Sequence, residues 1–109
     1  MPIMKPFVLS LQENSVNQRN SILTNENAKK MKSGMIFLKT GEEVGEHNTH
    51  QAEEIIIVLE GKATVEIDGQ VFSEVSSGSV AFIPSQTLHN VRNMSDAKLR
   101  YIYVVSEEE

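Results

Sequence analysis

From Ser33 onward the chain alternates short apolar runs with polar, proline- or glycine-containing breaks, at spacings too tight for intervening helices. Met35 to Leu38 form a first run, and the loop from Thr40 to Glu46, with two glycines and three glutamates, leads to a strand starting near His47. Ile55, Ile56, Ile57, Val58 and Leu59 are continuously apolar and mostly β-branched, which predicts a central strand covered on both faces or lining a closed barrel. Ala63, Val65 and Ile67 then alternate with Lys62, Thr64 and Glu66, and Asp68-Gly69 supplies the positive-φ pair of a two-residue hairpin turn before Val71 and Phe72. Further runs follow at Val80 to Ile83, His89 to Met94 and Leu99 to Val105. The pattern predicts an all-β sandwich or barrel, with no internal repeat.

Residues 1–32 read differently. Between residues 10 and 32 Asn, Gln, Ser and Lys dominate and Ile22-Leu23 is the one adjacent bulky pair, which predicts an N-terminal arm with at most one short strand. The folded domain spans residues 33–105, and residues 106–109 form a disordered acidic tail. At 109 residues the chain fits a single domain. Fifteen acidic against ten basic residues give a formal charge of -5, the opposite of what a general nucleic-acid surface requires. The absence of cysteine excludes disulfides, thiolate metal clusters and thiol nucleophiles, and makes the cytoplasm the default compartment. The apolar run Phe7-Val8-Leu9 is too short for a signal peptide or a membrane span.

Chemistry concentrates at two places. The segment Gly41-Glu-Glu-Val-Gly-Glu-His47-Asn-Thr-His50-Gln-Ala-Glu-Glu54, closing at Gly61, resembles the first motif of the cupin superfamily. Gly41, His47, Glu54 and Gly61 stand at that motif's intervals. Gly78, Pro84, His89 and Asn93 match the second motif, with Gln86 in place of its middle glycine. The resemblance covers roughly residues 33 to 105. It implies a double-stranded β-helix, a jelly-roll barrel with inward-facing metal ligands from two neighbouring strands near one mouth.

One departure bears on the ligand set. The family carries His-x-His where this chain reads His47-Asn48-Thr49-His50. Side chains alternate along a regular strand, so His47 and His50 cannot both face inward unless a bulge intervenes. One register places His47 and Thr49 at the ligand positions and preserves the Gly41 interval; the other places Asn48 and His50 there and loses it. The resemblance implies a divalent-metal site drawn from His47, His50, Glu54 and His89. Two histidines and a carboxylate with open positions suit iron, manganese, nickel, cobalt or zinc. Glu53 reads as surface, Asn93 as either a turn residue or a partner orienting His89. Met35, Phe37, Ile56, Val58, Phe82, Val91, Tyr101 and Tyr103 are candidate pocket or core residues.

Three functional readings follow from the resemblance. A metal-dependent enzyme would act on a small organic molecule by dioxygenation, isomerisation or lyase chemistry. A non-catalytic module would bind or sense a small ligand, although a sensor would need a separate DNA-binding chain. A decayed site would leave a structural protein. Under each, the resemblance implies a homodimer paired through sheet edges, with residues 3 to 10 available as an exchanged strand.

Overall fold

The structure, a computed structural model, describes residues 4–11 and 18–106. All regular structure among these residues is β: β1 (Asn20–Leu23), β2 (Met31–Leu38), β3 (His47–Asn48), β4 (Glu54–Glu60), β5 (Lys62–Ile67), β6 (Gln70–Ser76), β7 (Val80–Ile83), β8 (Leu88–Arg92) and β9 (Leu99–Ser106). They form a five-stranded sheet of order β1-β2-β9-β4-β7 and a four-stranded sheet of order β3-β8-β5-β6, with every pairing antiparallel. Sequence-distant strands lie side by side, as in a jelly roll, and the two sheets close over one core.

Strand alternation decides what enters that core. Leu38, Ile56, Val58, Ala81, Ile83, Leu99 and Tyr101 reach it from the five-stranded sheet, and Ala63, Val65, Val75 and Val91 from the four-stranded one. Register aligns the inward-facing residues within each sheet. Ile56 pairs with Tyr103 on one side and Ala81 on the other, and Val65 pairs with Val91. At about 25 cal/mol per Å² of apolar surface, burying these side chains is the main stabilising contribution.

The turns carry the conformations that the sequence pattern demands. Asp68 and Gly69 both have positive φ (52° and 79°), and Ile67 pairs with Gln70 across the resulting hairpin. Gly61, between β4 and β5, has φ 85° and sits against the Lys98 carbonyl so closely that a Cβ would collide with it.

β4 is central and lines the interior as expected, and the bounds of the domain shift by one or two residues. β4 lies between β9 and β7, inside its sheet, but its outer face is not covered: Ile55 and Leu59 are 40% and 38% exposed. Its run is continuously apolar because both faces carry apolar residues, only one of which meets the core. β2 begins at Met31, two residues before the expected domain start, because Met31 and Lys32 pair with Ser106 and Val105. Ser106 therefore belongs to β9 rather than to a tail, while residues 107–109 lie outside the described residues. Within the arm, Ile22 and Leu23 fall in β1, and residues 4–10 form no strand. Residue 3, also assigned to the arm as a possible exchanged strand, lies outside the described residues.

Candidate metal centre

The loop from Thr40 to Glu46 is fastened to β8 before β3 begins. Gly41 N–H donates to the Asn93 carbonyl and Val44 N–H to the Val91 carbonyl, while Gly45 N–H donates to the Asn90 side chain. This delivers His47 opposite His89 in the β3–β8 register, with ring centroids 4.0 Å apart. Both imidazoles face Glu54, which enters from β4 in the other sheet. The site therefore bridges the two layers at one mouth of the barrel, and its residues come from three strands rather than two.

One ligand atom from each of His47, Glu54 and His89 lies within 4.8 Å of the others. His89 Nε2 is 3.2 Å and His47 Nε2 4.0 Å from the same carboxylate oxygen, Glu54 Oε1. Two ligand atoms about 2.1 Å from one ion and at right angles to each other would be roughly 3 Å apart, so these separations suit a shared cation. The remaining ring nitrogens each face a backbone carbonyl. His47 Nδ1 lies 3.0 Å from the Gly45 carbonyl and His89 Nδ1 3.3 Å from the Thr87 carbonyl. A carbonyl can only accept, so Nδ1 of each ring is the proton-bearing nitrogen and Nε2 is the one presented to Glu54, able to ligate once it carries no proton of its own. Metal-ligating histidines are commonly oriented in this way, by a backbone carbonyl behind the ring.

An Nε2 lone pair and a carboxylate oxygen at 3.2 Å repel unless something positive lies between them. A second proton on His89 meets that need in the absence of metal. Burial pulls the His89 pKa down, but the hydrogen bond and charge of Glu54, together with neighbouring carbonyls, outweigh it and leave the pKa raised. His89 and Glu54 are both buried, whereas the His47 side chain is 51% exposed and forms the solvent side of the site.

The residues after β3 resolve the register. Thr49 is buried, with its hydroxyl donating to the Pro84 carbonyl at 2.7 Å and accepting from Thr87 N–H at 3.1 Å, so it clamps the loop before β8. His50 is exposed, has φ 55° in a turn, and receives Gln86 N–H at its carbonyl. β3 ends at Asn48 and no bulge turns His50 inward, so its ring lies outside the converging group. Gln86 takes φ 55°, the left-handed conformation that glycine adopts at no steric cost, which accounts for glycine in the corresponding motif position. Asn93 serves turns: its side chain donates to the Leu38 and Ala97 carbonyls and accepts from Ser95, while Thr87 orients His89.

A cavity of about 230 Å³ opens beside the site, lined by His47 and Glu54 and walled by Ile36, Val44 and Val105. Of the eight candidate pocket residues, only Tyr101 and Tyr103 line it. Met35, Ile56, Val58 and Val91 are buried elsewhere, and Phe82 is exposed on the outer face. The cavity also takes in Arg19, from the segment leading into β1. A lone arginine in a polar arm carries no local signal of such a position.

Two facing antiparallel sheets with a His-Glu-His cluster at one mouth define a double-stranded β-helix protein with a metal-capable pocket. The cupin domain model matches residues 34–105, and the chain belongs to the cupin family. A Streptomyces cyaneus protein called polyketide synthase CurC is 30% identical over 73 residues, covering 67% of this chain and 47% of that protein. The chain thus spans under half the length of that relative. Among solved structures, BH2720 from Bacillus halodurans superposes with a TM-score of 0.79 at 21% identity, covering 96% of this chain and 83% of that one. A predicted oxalate decarboxylase from Thermotoga maritima superposes with a TM-score of 0.73 at 23% identity, covering 83% and 79%. At these identities the structural likenesses establish the fold. No helix among the described residues is long and apolar enough to cross a membrane.

Proposed function

We propose that this cupin is a metal-dependent enzyme acting on a small organic molecule, with His47, Glu54 and His89 as the protein ligands. The observation that carries this reading is the convergence of two Nε2 atoms and one carboxylate on a common point, with each Nδ1 facing a backbone carbonyl. Iron, manganese, nickel, cobalt and zinc all accept such nitrogen and oxygen donors. A bound ion of this kind would supply Lewis acidity or, for iron, oxygen activation. The chain's own residues would do the rest. Apolar walls at Ile36, Val44 and Val105 exclude water around the ligand, and Glu54 supplies the charge that holds the ion. The Tyr101 phenol, its pKa pushed up by burial and by the Glu54 charge, stays protonated and can donate a hydrogen bond into the cavity. Dioxygenase, isomerase and lyase chemistry all fit this arrangement; the predicted oxalate decarboxylase from Thermotoga maritima shares the fold.

A second reading, a non-catalytic ligand-binding cupin, draws on Thr49. Its hydroxyl is occupied by Pro84 and Thr87, so this chain offers one histidine where the family's first motif has two. Metal content of untagged protein, followed by oxygen-consumption and isomerase screens with each metal, separates the two. Turnover supports the enzyme; stoichiometric metal without turnover on any chelating substrate favours the binding module.

For partners, we infer a small-molecule ligand and a second copy of this chain, in a cytoplasmic setting consistent with the cysteine-free composition. β7 is the last strand of its sheet among the described residues, and Val80 and Phe82 on its outer face pair with Ile57 and Ile55. Two antiparallel copies of one edge strand are self-complementary, which favours an identical partner over a foreign one.

A further inference from the structure

Among the described residues, Arg19 is the one arginine or lysine lining the cavity beside the His-Glu-His cluster. Its placement follows from register. Asn20, the first residue of β1, pairs with Met35, while Ile36 lines the cavity from the opposite face of β2; one step back along the chain, alternation turns Arg19 to the side of Ile36. In the sheet order β1-β2-β9-β4, Arg19 and Glu54 stand three strand spacings apart across the sheet and four residues apart along it, on the order of 20 Å between backbones. Tyr101 and Tyr103 of β9 lie between them, and Tyr101 feels the charges of both Glu54 and Arg19. Among the described residues no carboxylate pairs with Arg19, in contrast to Arg92, which is held by Glu43 and Glu66, and Arg100, which is held by Glu60.

We propose that Arg19 makes the β1 side of this cavity a carboxylate-binding subsite, so that the ligand is a small acid whose other end carries the metal-binding oxygens. A guanidinium presents a planar fork of donors matched to a carboxylate, and Tyr101 and Tyr103 line the same cavity between Arg19 and Glu54. At about 230 Å³ the cavity suits a compact acid or dicarboxylate. This inference deepens the metal-dependent reading and depends on it only for the chelating end.

The test uses glutarate as the probe and glutaramide as its uncharged counterpart. Binding is measured by calorimetry on wild type, R19Q and R19K, each as isolated and after metal removal, with metal content determined in every sample. Wild type binds glutarate more tightly than glutaramide. Because Arg19 stands on the solvent side, R19Q weakens glutarate binding by about tenfold, leaves glutaramide binding and metal content unchanged, and R19K recovers part of the loss. The same dependence on Arg19 persists in metal-free protein, so a chain that retains no metal would overturn the enzyme reading without touching the subsite. Equal affinity of wild type for the two probes, or glutarate binding in R19Q equal to wild type, would overturn the subsite. Matching melting temperatures of wild type and R19K separate a binding effect from a folding effect.

Discussion

His47 and His89 do different work although they face each other across one ladder. His89 is buried and shares its Nε2 direction with Glu54, while His47 is half exposed and closes the site on the solvent side. In metal-free protein the raised His89 pKa stabilises the fold. That contribution is fully present below the unfolded value near 6.5 and is lost as pH rises through the folded pKa, so thermal denaturation of stripped protein should show stability falling across that window. Metal binding has the opposite sign, because ion and proton compete for Nε2; affinity measured by titration should fall as pH drops through the raised His89 pKa. A metal affinity that stays level from pH 8 to pH 5 would contradict both assignments. The sequence pointed to His47, Glu54 and His89 through motif spacing, and strand parity set His47 and His50 on opposite sides. It could not place Arg19, whose route to the cavity depends on a strand in a polar arm, nor show that Thr49 is a clamp, since its bonds join residues 35 and 38 apart in the chain.

At the scale of elements, local signals were legible and long-range ones were not. Asp68-Gly69 announced its hairpin because the turn's backbone conformation is encoded in the two residues that make it. The β4 run read as a central, interior-lining strand, which it is, but periodicity reports which residues are apolar, not whether a second layer covers the outer face. Two turn positions carry predictions. G61A should destabilise by about 1 to 3 kcal/mol in chemical denaturation, since the new Cβ meets the Lys98 carbonyl and the backbone is left-handed. Q86G should stabilise by up to about 1 kcal/mol, the relief of a left-handed non-glycine residue offset in part by the greater freedom of the unfolded chain. A loss of stability in Q86G would mean that the Gln86 side chain makes contacts outweighing its backbone strain.

For the whole molecule, the layered architecture was readable from run lengths and turn spacing, whereas the strand order, which joins β2 to β9 and β4 to β7, was implied only through the family resemblance. That order puts an apolar outer face on β4 and β7, and wild type should therefore run at twice the chain mass in light scattering. I55D or F82D should shift it to a monomer without removing the cupin fold. A monomeric wild type would exclude the paired form. The same order brings His47, His89 and Glu54 together from two sheets, and the central claim is that they hold a divalent metal. The direct measurement is metal content, by elemental analysis, of untagged wild type and of the folded variants H47A, E54Q, H89A and H50A. Near-stoichiometric metal is predicted in wild type and in H50A. Losing a ligand should cost more than the roughly 10- to 100-fold in affinity typical of losing an outer partner, so metal should be lost from the other three. Wild type that neither retains nor binds iron, manganese, nickel, cobalt or zinc, or metal that disappears with His50 and persists without His89, would contradict it.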